Sequence, residues 1–257
     1  MPERSASHLQ RYAAIDALRG LAMVWMTVFH FCFDLSYFGW WPQDFLGDPF
    51  WTWQRTAIVT LFLLCAGLGQ AVAQAQAVGW RRFSRRWLQV LAAAMLVSFG
   101  SWLMFPRSFI YFGILHGMAV MLLLARLTAG WRRWLWPAGM LALLLPWLAQ
   151  GLLGGPLAHW APLMDGRALN WLGLIWRKPF TEDYVPVLPW LGVMWWGLAA
   201  GQWLVAQQPR WLTAPVPRAA RPLARLGRWS LSYYLLHQPV MLGALTALAW
   251  LIAAKGA

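Results

Sequence analysis

The sequence contains seven long apolar stretches, and these constrain its fold more than any other feature. Each approaches or exceeds the roughly 20 residues that a helix needs to cross a bilayer core of about 30 Å. Backbone polar groups inside lipid must pair within one segment, which favours helices. The sequence therefore predicts an all-α, polytopic integral membrane protein with about seven transmembrane helices, in a single domain over residues 1–257. The stretches cover roughly residues 13–33, 54–78, 87–105, 109–126, 133–153, 186–206 and 229–253.

Composition excludes a soluble fold. Hydrophobic residues make up 60% of the chain and charged residues 11%, against about 45–50% and 25% in soluble domains. The formal net charge is +13, which in a soluble protein would suggest nucleic acid. In a membrane protein, basic residues instead mark the cytoplasmic loops. We therefore expect membrane lipid as a partner and no nucleic acid.

The basic residues fall on alternate connections, which predicts an orientation. They occur in the N-terminal tail at Arg4 and Arg11, in the run 81–86, in the link 126–133 and in the proline-rich linker 207–228. The positive-inside rule places these connections, and hence the N-terminus, in the cytoplasm. We expect a multi-pass membrane protein.

Four ionisable residues interrupt the first apolar stretch: Asp16, Arg19, His30 and Asp34. A charge at mid-span costs about 2.5–3.5 kcal/mol on insertion scales, so such residues indicate function. Arg19 and His30 are eleven residues apart, almost three helical turns, and share a face about 16 Å apart along the axis. Asp16 neighbours Arg19, and Asp34 neighbours His30, by spacings of three and four. The stretch thus carries two acid–base pairs at different depths.

Two further histidines lie in later stretches. His116, between Gly113 and Gly117, falls in the predicted outer half, where we expect it to share a cavity with His30. His237, about eight residues in from the cytoplasmic side, precedes Pro239, which should kink its helix. The isolated Cys32 and Cys65 and the scattered histidines indicate no metal site.

Three ordered blocks resemble one family. They comprise residues 16–20 (Asp-Ala-Leu-Arg-Gly) with 29–35 (Phe-His-Phe-Cys-Phe-Asp-Leu), then 110–116 (Ile-Tyr-Phe-Gly-Ile-Leu-His), then 227–239 (Gly-Arg-Trp-Ser-Leu-Ser-Tyr-Tyr-Leu-Leu-His-Gln-Pro). They are similar to bacterial membrane proteins related to heparan-alpha-glucosaminide N-acetyltransferase. The resemblance implies a location in the bacterial cytoplasmic (inner) membrane. The Arg-to-His spacing is also similar to that of membrane acyltransferases that O-acylate cell-surface glycans.

The resemblance implies transfer of an acetyl or acyl group from cytoplasmic acyl-CoA to an extracytoplasmic acceptor, expected to be a sugar or glycan amine or hydroxyl. His30 takes the position of the family's catalytic histidine, and Arg19 that of the motif arginine. We expect the phosphates of acetyl-CoA, or of another acyl-CoA, near Arg19 because guanidinium pairs with phosphate. The predicted catalytic residues are His30, Asp34 and His116, and the predicted cofactor-binding residues are Arg19, Asp16, His237, Arg81 and Arg82.

Alternatives stay open. His30, oriented by Asp34, would act either as a general base on the acceptor or as a transient acyl carrier. The rival class is a transporter or permease without covalent chemistry, since buried Asp, Arg and His also line proton and substrate pathways. The sequence leaves the acceptor, the acyl chain length and a homo-oligomeric state undetermined.

Overall fold

The computed structural model describes residues 11–255, which form a bundle of α-helices joined by loops and short 3-10 turns. Arg4, predicted to lie in the cytoplasmic tail, falls outside the described residues. Each predicted apolar stretch coincides with a long helix, which confirms the all-α class. The helices are α1 Ala13–Tyr37, α2 Pro49–Ala75, α3 Trp80–Met104, α4 Ile114–Thr128, α5 Leu135–Leu153, α6 Ala161–Asp165, α7 Val187–Gln207, α8 Arg210–Thr213, α9 Arg221–Arg228 and α10 Ser230–Lys255.

Five helical segments of the described chain are long and apolar enough to cross a membrane, which confirms a membrane protein. One of them, Ile114–Leu153, combines α4 and α5. The helix α7 is not among the five, because Gln202 and several tryptophans lower its mean hydropathy. The count of about seven spans and the cytoplasmic N-terminus therefore remain predictions. The other four segments are Ala13–Tyr37, Pro49–Ala75, Trp80–Met104 and Ser230–Ala254.

Inter-helix contacts show which helix termini lie together. Arg19 near the start of α1 approaches Gly69 near the end of α2. Gln202 near the end of α7 donates to Gln74 of α2. We call this the basic end: it contains the starts of α1, α3 and α5, the ends of α2, α4 and α7, and α9. The opposite loop end contains the connections 38–48, 105–113 and 154–186.

The helices α2 and α7 touch backbone to backbone along their length. A Cβ added to Gly67 would overlap the Met194 carbonyl oxygen, and one added to Gly197 would press on the Leu64 carbonyl. Small residues allow this close approach between membrane helices. The contact leaves no room for a ligand to pass between α2 and α7. The core around them includes the fully buried side chains of Met23, Leu63, Met121, Met194 and Leu198.

The short helix α9 packs against the first part of α1 through two glycines. A Cβ at Gly20 would overlap the Leu223 carbonyl oxygen, and one at Gly227 would overlap the Asp16 carbonyl oxygen. Because α9 lies beside the first part of α1, α10 begins only near the middle of α1. The two long helices then run in parallel, because Thr27, His30 and Asp34 of α1 contact Tyr233, His237 and Gln238 of α10 in the same order.

Candidate active site

His30 of α1 and His237 of α10 lie in direct contact. Their nitrogens Nδ1 and Nε2 are 2.8 Å apart, and their rings are inclined by only 13°. Tyr233, one turn before His237, continues the stack with its ring at 9° to that of His237. The Tyr233 hydroxyl lies 2.7 Å from Thr27 Oγ1, which fixes the stack to α1. Two imidazoles from opposite ends of the sequence thus form one unit.

The hydrogen bonds of the pair determine its neutral tautomers. His237 Nδ1 lies 2.7 Å from the Tyr234 carbonyl oxygen, which can only accept, so this nitrogen carries the proton. In neutral His237 the other nitrogen, Nε2, then accepts a hydrogen bond from His30 Nδ1–H. His30 Nε2 is left with a lone pair and has no hydrogen-bond partner within the described chain. This nitrogen can bind a proton or attack a carbonyl.

Asp34 lies one turn beyond His30 but is not bonded to it. Its Oδ1 accepts a hydrogen bond of 2.7 Å from Gln238 Nε2, and the residue is 1% exposed. Asp34 Oδ2 and Gln238 Oε1 are buried without a hydrogen-bond partner in the part of the chain described. The expectation that Asp34 orients His30 is therefore not met, because His237 takes that position. Two buried oxygens beside the histidines instead lack donors.

Arg19 and Asp16 form an ion pair at the basic end, as their spacing predicts. Arg19 Nη1 lies 3.1 Å from Asp16 Oδ1, and Arg11 Nε lies 3.5 Å from the other carboxylate oxygen. Arg19 Nη1 also donates to the Gly227 carbonyl at 3.5 Å. Arg19 thereby connects α1 to α9, and Asp16 offsets one of two neighbouring positive charges.

His116 lies apart from the His30–His237 pair. Its Nε2 is 3.0 Å from Ser98 Oγ of α3, and its Nδ1 accepts from the Gly113 N–H at 3.3 Å. Phe112 packs against its ring. No contact joins His116 to His30 among the described residues, so the expected shared cavity is not seen. His116 instead orders the first turn of α4.

Asp183 of the long loop at the loop end also caps this first turn. Its Oδ2 accepts from the Ile114 N–H at 2.8 Å. Burial raises the pKa of the Asp183 carboxyl, an effect that the Ile114 hydrogen bond and the nearby Arg55 and Lys178 partly offset. Burial also lowers the pKa of Lys178. The loop is thus tied to the helix that carries His116.

Arg81 and Arg82 are exposed in the first turn of α3, at the basic end. The only ion pairs in the described range involve Asp16, so both arginines are without an acidic partner. Among residues 11–255, no hydrogen bond or ion pair links them to Arg19. No group of three or more His, Cys, Asp or Glu within residues 11–255 could hold a metal ion.

Sequence reasoning missed three members of the site: Thr27, Tyr233 and Gln238. Tyr233 and His237 are four residues apart, so helical spacing alone would have put them on one face. Thr27 and Gln238 carry no comparable signal, because only the pairing of α1 with α10 brings them together.

The fold and the site together define a polytopic membrane protein with a histidine pair between α1 and α10. The family described as heparan-alpha-glucosaminide N-acetyltransferase, catalytic, matches residues 11–239. The chain belongs to this family, which makes it a membrane acetyltransferase by class. The match includes every site residue described above. No curated protein and no solved structure matches the chain.

Proposed function

We propose that this protein transfers an acetyl or other acyl group from cytoplasmic acyl-CoA to an extracytoplasmic sugar or glycan amine or hydroxyl. We further propose that it resides in the bacterial inner membrane with its basic end in the cytoplasm. The observation that carries the proposal is the contact of His30 with His237, which leaves His30 Nε2 free at a membrane-embedded position. The family match supports transferase chemistry over transport.

The proposed chemistry centres on His30 Nε2. This nitrogen removes a proton from the acceptor amine or hydroxyl as the acceptor attacks the thioester carbonyl. The new bond to the acyl carbon forms, the carbon–sulfur bond breaks, and CoA leaves as a thiolate that takes the proton back from His30. His237 holds His30 Nδ1–H in place and stabilises the imidazolium that forms during transfer.

The donor reaches this site from the basic end. Arg221, Arg225 and Arg228 of α9 lie within about 60° of one another on a helical wheel. All three are exposed, and α9 adjoins Arg19 through Gly227. We propose that this face and Arg19 bind the phosphates of acyl-CoA, with Asp16 positioning Arg19. The exposed Arg81 and Arg82 add positive charge at the same end.

From Arg19 to His30 the path follows α1 for about 16 Å. We propose that the pantetheine arm, a flexible and narrow chain, extends along this part of α1. Thr27 lies one turn before His30, and its hydroxyl contacts that of Tyr233. The thioester then arrives beside His30 while the nucleotide stays at the basic end.

Asp34 and Gln238 suit the acceptor side. Their two unpartnered oxygens can only accept hydrogen bonds. Amines and hydroxyls of a sugar supply the missing donors. We propose that this pair holds the acceptor one turn beyond His30, and that His116, separate from this pair, acts only by ordering the start of α4.

The test is turnover of radiolabelled acetyl-CoA by the purified protein in phosphatidylcholine nanodiscs, with glucosamine and glucose as acceptor probes. Wild-type protein should consume the label, and His30→Ala should lose at least about 10²-fold activity while remaining folded. His159→Ala is the matched control, since His159 is exposed in a loop. Full activity of His30→Ala, or no consumption by the wild type, would overturn the proposal.

A further inference from the structure

A cavity of about 530 Å³ lies at the basic end between α2, α5 and α7. Its polar lining includes Gln74, Gln202, Arg132 and Arg133. Gln202 Nε2 donates to Gln74 Oε1 at 2.6 Å and to the Ala129 carbonyl at 2.7 Å, so the glutamines are held in place. A second cavity of about 360 Å³ shares Gln74 and includes Arg126.

The cavity carries uncompensated positive charge. Arg132 and Arg133 are exposed, and across residues 11–255 no carboxylate forms an ion pair with either. Arg132 adopts φ 49°, a left-handed conformation that is unfavourable for a residue with a side chain. Two arginines that line one cavity suit an anion with several acceptor oxygens.

The cavity is separated from the histidine pair. It opens on the side of α2 and α7 that faces α5, whereas His30 and His237 belong to α1 and α10. The backbone contacts of Gly67 and Gly197 seal the interface between the two regions. Its ligand is therefore not the acyl group that reaches His30.

We propose that this cavity binds the phosphate of an anionic glycerophospholipid. Trp136 and Trp203 line it and are exposed at the basic end of membrane helices, the level at which tryptophan meets lipid headgroups. Exposed apolar side chains, including Met140 and Leu144, follow along α5 from the basic end. They offer a surface for the acyl chains of the lipid. Basic pockets between membrane helices bind such headgroups. The inference does not rest on the proposed enzymatic function.

The test compares lipid binding by native mass spectrometry of the full chain, using dioleoylphosphatidylglycerol and dioleoylphosphatidylcholine. Phosphatidylglycerol should be retained selectively. The double substitution Arg132→Gln with Arg133→Gln should weaken phosphatidylglycerol binding by about tenfold or more, because each arginine contributes roughly one interaction with the headgroup. Arg218→Gln, also exposed at the basic end but away from the cavity, should retain wild-type binding.

A second variant separates cavity binding from general surface charge. Ala206→Phe keeps both arginines but fills the rim of the cavity, which Ala206 lines, and it should also weaken phosphatidylglycerol binding. Equal loss of lipid in Arg218→Gln, unchanged binding in Ala206→Phe, or equal retention of phosphatidylglycerol and phosphatidylcholine by the wild type would each overturn the lipid assignment.

Discussion

His30 Nδ1 lies 2.8 Å from His237 Nε2, so the first and last long helices meet through two imidazoles. The Tyr234 carbonyl fixes the proton on His237 Nδ1. His237 Nε2 therefore accepts a hydrogen bond, and the proton of His30 lies on Nδ1. One backbone oxygen thereby determines which nitrogen of His30 has a free lone pair. In the proposed mechanism, His237 takes the place of the carboxylate that orients the catalytic imidazole in many enzymes.

Replacing His237 by Ala should lower kcat by about 10²-fold and leave the KM for acetyl-CoA nearly unchanged, because His30 loses its orienting partner but the donor site is intact. The pH–rate profile should also move, since imidazolium stabilisation is lost. Steady-state kinetics across pH measures both effects. A variant with unaltered kcat and unaltered pH profile would show that the pair is structural only.

Arg19→Ala should raise the KM for acetyl-CoA more than it affects acceptor binding, because a phosphate ligand is removed. The variant should also lose stability, since Asp16 loses its closest partner and the link to Gly227 disappears. Arg19→Lys keeps the charge and should recover part of the affinity. Initial rates at varied donor concentration test this, and an unchanged donor KM would contradict the assignment.

The arginines of α9 should act on the nucleotide part of the donor alone. Arg225→Gln and Arg228→Gln should each raise the KM for acetyl-CoA about fivefold, near 1 kcal/mol, and leave turnover of acetyl-pantetheine unaffected. Arg210→Gln in α8 is the control. Equal losses with both donors would point to a folding defect instead.

Gly227→Ala should destabilise the protein by about 1–3 kcal/mol, because the added methyl overlaps the Asp16 carbonyl and forces α9 away from α1. Activity should fall as well, because α9 determines where α10 begins beside α1 and so where His237 meets His30. Gly243→Ala is the matched control in α10, where nothing lies within 4 Å of the added atom. Thermal unfolding in detergent distinguishes the two; equal melting temperatures would refute the α9 packing.

Asp183→Ala should cost about 1 kcal/mol of stability, the usual effect of removing a side chain that caps a helix. The Ile114 N–H loses its acceptor in this variant. Asp48, which accepts from the Phe50 N–H at the start of α2, offers a comparable cap, and Asp48→Ala provides a reference. Thermal unfolding measures the loss of stability in both variants. An Asp183→Ala variant as stable as the wild type would contradict the capping role.

The sequence predicted the helices well, because apolar stretches of about 20 residues have few alternatives in lipid. It also placed Arg19 next to Asp16, because helical spacing alone decides that contact. It could not bring His237 to His30, because α9 lies beside the first part of α1 and α10 therefore begins well inside the bundle. Asp34 shows the same limit: spacing makes it a neighbour of His30, but only the packing of α10 supplies Gln238 as its partner.

The contact between His30 and His237 joins positions separated by most of the polypeptide, which has a consequence for biogenesis. During translation, α1 enters the bilayer long before α10 emerges from the ribosome. His30 therefore waits without its orienting neighbour while the intervening helices insert. In the proposed mechanism, catalysis therefore requires α10 to be inserted, so nascent chains halted before α10 hold an incomplete histidine pair and should leave the cellular thioester pool untouched.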